Sequence, residues 1–563
     1  MGGGTEPGFP GRERRAARLR DRVPVRLRHH WKPATALGVG LAALVVFLGD
    51  ARVSPYVTSA SRAEADAVTD DVKGTVGLYD TSAKHSIQLT YEQADFDKMM
   101  KEFKKDGTKD YIEADLTIDG VYLNDVGVRL KGNSTLSSLR GTKGAQGGGG
   151  GFRPGGGAGN DTRGGSGAGG AGTGNAPGGG QAQRAGGGPG GAGGGMVQYD
   201  LSAAKPEELP WLVKIDEFVE GRAYQGEREI SLRPGSNEQV PLNEALSLSL
   251  TTKSGQKAER YGFTELKVNN RPAATRLMVE APDTDYAEGV ADGNGVLYKA
   301  RANGSFDYQG DDPTDYEDSF KQLNKVGSQD LEPVMKLIKW ANKASDEEFA
   351  RDLHTYVDVD SFARYVAAQN LLLNFDDMAG PGKNYLLWYD LDTKKFSVLG
   401  WDYNLTFSGT ASTGPDDEVG MGGGMPGGTT AKNGTATKDG TTAKNGAAPE
   451  GAPEGMPTDF PGGAPGGSGA EAGDGGMGAR TGHVLKTRFL ASAAFDGVYH
   501  DAYRELYEKF YGSGTATKEL KSIAAQARAA GGASKALDSA VTKLTKSVGD
   551  RAAALAKDKE VTG

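Results

Sequence analysis

The sequence predicts an α+β fold, with a sheet-rich part first and a helical part after it. Between Thr75 and Glu280 the apolar residues mostly alternate, as strands require, and beyond Gly289 they recur near the helical period. The 87 glycines of the 563 residues crowd into two tracts, roughly 144–195 and 408–482. These tracts hold too few apolar residues to offset the entropy of ordering, so they read as disordered insertions or spacers. Neither carries a Gly-x-x-x-x-Gly-Lys-Ser/Thr phosphate loop.

In chain order, 87–90 alternates, 91–105 reads as an amphipathic helix, and 111–118 and 126–130 read as strands around a turn at Asp119-Gly120. Strands resume at 211–215 and 229–232, a helix follows at 242–252, and two more strands fall at 265–268 and 275–280. Helices are expected at 333–342, 346–357 and 360–373, the last capped by Asp360 or Ser361. A hairpin pairs 385–389 with 396–399, and 488–511 and 518–557 close the chain as helices.

The N-terminus reads as a targeting segment. Eight arginines between Arg12 and Arg28 precede 34–49, sixteen residues without a charge. This run is longer than a signal-peptide core and lacks a good cleavage site, which favours a single-pass transmembrane anchor. The positive-inside rule then keeps 1–33 in the cytoplasm and places the rest outside it. The net charge of −9 argues against a nucleic-acid partner, and the absence of cysteine excludes thiolate chemistry and disulfides. Six histidines in no ligand spacing remove zinc, and no Gly-x-Ser-x-Gly elbow supports a hydrolase.

One set of residues carries chemistry. Asn374-Phe375-Asp376-Asp377 follows an apolar helix, Asn384 opens the hairpin, and Asp402 lies just beyond its second strand. Because a hairpin returns its end to its start, Asn384 and Asp402 should be neighbours, with Asp376 close by. Oxygen ligands of this kind suit a hard cation that keeps positions free for phosphate oxygens. One Asp for the acceptor hydroxyl, with an Asn and a second Asp for Mg²⁺, is the kinase set. Asp402 and Asn404 equally fit ordinary turn capping. Asp377 reads as a solvated neighbour or loop cap, and Lys214 and Glu244 also fit exposed positions.

Five segments stand in a telling order: Val126–Ser134, Lys214–Phe218, Leu242–Leu246, Asn374–Asp376 with Asn384-Tyr385, and Trp401–Leu405. In this order they resemble the CotH family, the spore-coat-protein-H type of atypical secreted kinases. The resemblance implies a protein-kinase-like two-lobed fold, with a sheet-rich N-lobe at 75–140 and 199–289 and a helical C-lobe at 290–407 and 483–557. The insertions fall at 141–198 and 408–482. It further implies ATP, Mg²⁺ or Mn²⁺, and phosphoryl transfer to Ser or Thr of a cell-surface or spore-coat protein. Carried over, Asp376 matches the catalytic Asp, and Asn384 and Asp402 match the metal pair. Lys214 is the candidate phosphate lysine with Glu244 as its ion-pair partner, while Arg129, Lys131 and Asn133 offer another approach to phosphate. The sequence departs from common kinases in the longer Asp376-to-Asn384 spacing and in Tyr-Asn after Asp402. The alternatives are a catalytically silent structural or adhesive protein on the same fold, and a small-molecule or glycan kinase.

Overall fold

The computed structural model describes residues 68–132, 134–140, 199–235, 239–419, 482–532 and 534–562. The described residues form thirteen strands: β1 (Asp70–Val72), β2 (His85–Thr90), β3 (Ile112–Ile118), β4 (Val121–Leu130), β5 (Trp211–Lys214), β6 (Arg222–Tyr224), β7 (Glu229–Leu232), β8 (Tyr261–Val268), β9 (Ala274–Glu280), β10 (Gly295–Ala300), β11 (Phe320–Gln322), β12 (Tyr385–Asp390) and β13 (Phe396–Gly400). The helices of eight residues or more are α1 (Gln93–Asp106), α2 (Leu242–Ser254), α3 (Glu332–Lys343), α4 (Asp346–Tyr356), α5 (Val359–Leu371), α6 (Val484–Ala491), α7 (Asp496–Tyr507), α8 (Thr515–Ala527) and α9 (Lys535–Leu555).

Seven strands pair in the order β2-β3-β4-β5-β7-β9-β8 and close into a barrel. Closure comes from β2 lying parallel beside β8, with Leu89 opposite Val268, and it leaves no open edge to pair with another chain. Side chains alternate across each strand. Val128, Leu130, Val213, Ile230, Leu232 and Met278 enter the barrel core, which α1 covers with Phe96, Met99 and Phe103. Their neighbours face outward, and the outward row Arg129, Leu212, Ser231, Val279 runs straight across four strands. That outer wall carries the residues of interest.

A second antiparallel sheet, β11-β10-β12-β13, is apolar on both faces. One face gives Val296, Tyr298, Leu387 and Val398 to the large core shared by α2 and α3–α9. The other gives Leu297, Leu386, Trp388 and Leu399 to a small cluster with Tyr286, Val290 and Trp401. The helical character expected beyond Gly289 is therefore wrong at β10 and β11. With both faces covered, Gly295–Ala300 shows no alternation, and such a short apolar run does not declare itself as a strand.

The α+β class holds, and the hairpin and the predicted helices are present, except that the one expected over 488–511 is broken into α6 and α7 where Ser492 turns extended. The expected division into two kinase lobes is not plainly drawn, because the sheet-rich part is a closed barrel. Moreover Phe263, Leu277 and Val279 on its outside join the same buried cluster as the helices. Helix α5 is capped by Asp358, whose side chain accepts from Ser361 N, rather than by Asp360 or Ser361. The stretch expected as one helix over 518–557 divides into α8 and α9, because Gly531 adopts φ 92° and turns the chain.

The single-pass anchor is corrected: among the described residues no helix is long and apolar enough to cross a membrane. The segment that carried the expectation, 34–50, lies outside the described residues, as do 141–198 and most of the second glycine-rich tract. Residues 408–419, counted with that tract, are held in place. Asn370 Nδ2 donates to Gly414 O (2.9 Å) and Asp417 O (3.1 Å).

Candidate active site

The loop after α5 is built around Asp376. Asn374 is fixed by Gln369, accepting from its own side at the backbone N–H of Asp376 (3.2 Å) and donating to Gln369 Oε1 (2.8 Å). One carboxylate oxygen of Asp376 accepts from Asn384 Nδ2 at 2.9 Å, and the other accepts from the Gly382 N–H. Gly382 is required by space: a Cβ there would lie 2.5 Å from Asp376 Oδ2. Asp376 is buried, and burial pushes its carboxyl up to about 6. The nearby charges of Asp402 and Asp377 push the same way, while the Gly382 and Asn384 bonds oppose them.

The β12–β13 hairpin, with Tyr385 opposite Gly400, returns the chain to Asn384 and presents Asp402. Asp402 sits at φ 56°, ψ 61°, a left-handed conformation that costs a residue with a Cβ. Its carboxylate is 3.3 Å from Arg233, which also forms an ion pair with Glu244 at the start of α2. Glu244 is 1% exposed; burial raises its carboxyl and Arg233 opposes the rise. Burial works against the Arg233 charge, but Glu244 and Asp402 hold the guanidinium firmly protonated. Helix α2 is tied to the same turn a second time, since Asn243 Nδ2 donates to Asn404 O (2.8 Å) and Thr406 O (3.3 Å).

Asp376, Asn384, Asp402 and Glu244 thus come together, and Lys131 joins them from the outer wall. Arg233, Asp402 and Glu244 all act on Lys131, and burial, aided by Arg233, brings its ammonium down to about 8. Arg129 lies on the same wall, stacked 5.0 Å from the centre of the Tyr111 ring. The expected Lys214–Glu244 pair is not formed. Lys214 binds Glu217 at 2.7 Å, with Asp216 at 3.8 Å, and lies opposite Glu229 at the start of β7, whereas Arg233 follows the end of that strand. Asn133 lies outside the described residues. Asp377 is a loop cap, bonding Ala379 N at 2.8 Å, but it is buried and paired with Lys486 rather than solvated.

Sequence reasoning missed Arg233 and Lys299. Arg233 had a signal, as a cation ending a strand and followed by Pro-Gly just before the helix that carries Glu244. Lys299 had none, because β10 was not expected.

Four oxygen-bearing side chains at this turn suit a hard cation: Asp376, Asn384, Asp402 and Asn404. Asn404 Oδ1 is buried without a hydrogen-bond donor, so it is available to such a cation, while Asp402 Oδ1 meets only the Arg233 guanidinium at 3.3 Å. Among the described residues no group of three or more His, Cys, Asp or Glu side chains is arranged to hold a metal by itself. The residues fit a cation completed by phosphate oxygens rather than a cage made by protein alone.

A buried carboxylate on a loop, an amide and a second carboxylate on a hairpin, and a cation–glutamate pair between strand and helix define the class. Residues 201–530 match the model of the family described as CotH kinase protein, and the chain belongs to that family. Inner spore coat protein H of Bacillus subtilis (strain 168) is 25% identical over 195 residues, which cover 34% of this chain and 53% of that protein. The chain therefore spans about half the length of that relative.

Proposed function

We propose that this chain is an ATP- and divalent-metal-dependent phosphotransferase that acts on Ser or Thr hydroxyls of a protein acceptor of the spore coat or cell surface. The observation that carries the reading is the convergence of Asp376, Asn384 and Asp402 with the Arg233–Glu244 pair at one end of the barrel wall. Kinases place a cation on their third strand and a glutamate on the following helix, and here β4, β5 and β7 precede α2 in the same way. The arrangement is read as a kinase-like pair of lobes with the N-lobe sheet closed on itself.

In this reading Asp376 orients the acceptor hydroxyl and takes its proton as the hydroxyl oxygen bonds to the terminal phosphorus and the bond to the leaving diphosphate breaks. Asp402 and Asn384 would hold Mg²⁺ or Mn²⁺, which supplies charge neutralisation at the phosphates. Arg233 and Lys131 face the phosphates from the barrel wall. Spore-coat acceptors are suggested by the name of the Bacillus subtilis relative.

One observation favours a second reading, a silent kinase-like structural protein: Arg233 already occupies one oxygen of Asp402. Incubation with labelled ATP, Mn²⁺ and a panel of acceptor proteins separates the two. Transfer by the wild type and its loss in Asp376→Asn supports catalysis. Absence of transfer to any acceptor, with Asp376→Asn indistinguishable, supports the silent protein.

A further inference from the structure

The sheet β11-β10-β12-β13 turns one face toward the site, and at its edge stands Lys299. Lys299 lies directly opposite Lys321 on β11, and directly opposed residues of an antiparallel pair share a face. Two like charges so placed repel each other, and neither ammonium forms an ion pair with a described carboxylate. The Lys299 ammonium instead lies 3.4 Å from the centre of the Trp401 ring, one residue before Asp402. Lys131 acts on it as well, from the barrel wall. The opposite neighbours of Lys299 across β12 and β13 are the buried Leu386 and Leu399.

We infer that Lys299 is a phosphate-binding residue, contributed by the sheet beneath the site and opposed to Lys131 on the barrel wall, so that a polyphosphate chain is gripped between them. This rests on the nucleotide reading above and deepens it by naming a contact from the side of the site that sequence did not reveal. The physical reason is the imbalance of charge. Arg233 is paired with Glu244 and Asp402, but among the described residues Lys299, Lys321 and Lys131 form no ion pair with a carboxylate, and a polyanion relieves their mutual repulsion. Burial, with Lys131 and Lys321 adding to it, brings the Lys299 ammonium down to about 7, although Asp402 opposes the fall. An anion bound there restores the charged form. The ammonium already rests on the Trp401 ring, so little side-chain freedom is lost on binding.

The test is calorimetric titration of the full chain with ATP and Mn²⁺, with adenosine, and with inorganic tripolyphosphate, for the wild type, Lys299→Met and Lys299→Arg. Met keeps an unbranched side chain of similar length and removes the charge. The expected result is a loss of roughly ten- to hundredfold in ATP and tripolyphosphate affinity in Lys299→Met, the range of a charge-assisted hydrogen bond. Adenosine affinity should stay unchanged, and Lys299→Arg should recover most of the loss. Equal ATP affinity in the wild type and Lys299→Met overturns the role of Lys299 while leaving the nucleotide reading intact. So does an equal loss for adenosine and ATP, which marks a packing role. Tripolyphosphate binding that depends on Lys299, in a wild type that ignores ATP, keeps the anion site and overturns the nucleotide reading instead. A wild type that binds neither overturns both.

Discussion

Asp402 holds a left-handed backbone conformation with an ordinary side chain, next to a guanidinium that could have been placed elsewhere. Strain of this kind, of order 1–3 kcal/mol, persists where the surroundings over-determine it. Asp376 presents the complementary case, a carboxylate buried on a loop and fixed by two donors. Asp376→Asn should keep the fold and nucleotide binding but lower phosphoryl transfer by roughly 10²–10⁴-fold, the contribution of a positioned base. Rate assays beside thermal-shift curves check this, and an unchanged rate would remove Asp376 from the chemistry. His483 gives a pH signature distinct from activity. Burial, with Lys486 and Lys383 nearby, lowers its imidazole to about 3, and its ring packs 4.2 Å from Phe306. A lowered folded pKa means the native state binds fewer protons than the unfolded chain, so stability rises with pH. The contribution of His483 is therefore fully present above about 6.5, the ordinary histidine value, and is lost as pH falls toward 3. Urea midpoints at pH 7 and pH 4 should lie closer together in His483→Gln than in the wild type. At this scale Asp376, Asn384 and Asp402 were legible because each lies at the boundary of a predicted element. Lys214 was misassigned because a lysine on an alternating strand looks the same at either end of the wall.

The element that organises the site is α2. Its first turn supplies Glu244 to Arg233 and Asn243 to the turn after Asp402, so strand, helix and hairpin meet there. Removing one side of a buried ion pair leaves the other charge uncompensated, which costs roughly 3–5 kcal/mol. Arg233→Met should cost about that much, and the double variant Arg233→Met with Glu244→Gln should cost clearly less. A urea-denaturation cycle checks it, and strictly additive losses would contradict the coupling. The N-cap of α5 offers a smaller test: Asp358→Ala should cost about 1 kcal/mol. Helices α1, α3 and α4 were legible in the sequence because each has a wet polar face beside a buried apolar one. Strands β10 and β11 were not, because one is covered on both faces and the other is three residues long.

At the scale of the molecule, the chain after the family-matched residues is not an appendage. Helix α9 sends Arg551, fully buried, to Ala411 O (3.0 Å), Asn370 O (3.1 Å), Asn370 Oδ1 (2.9 Å) and Tyr503 Oη (3.0 Å), and to Thr413 O. It thereby joins the end of α5, which leads to Asp376, to the segment that follows Asp402. Arg551→Met leaves several carbonyl groups unpaired in the core and should cost at least about 3 kcal/mol, since each orphaned buried group costs roughly 1–3. Closure of the barrel was invisible in the sequence, because a parallel pairing of β2 with the distant β8 has no local signal. The α+β class was visible, because periodicity reports elements one at a time. The central claim is that Asp376, Asn384 and Asp402, with Arg233 and Lys131, form a metal-dependent nucleotide site. The most direct test is the thermal midpoint of the full chain with and without ATP and Mn²⁺, in the wild type and in Asp402→Asn, which tolerates the left-handed backbone but lacks the charge. At a hundredfold excess over Kd the wild type should gain about 2.7 kcal/mol and its midpoint should rise, while Asp402→Asn should not respond. An unmoved wild type, or an equal rise in both proteins, would contradict it.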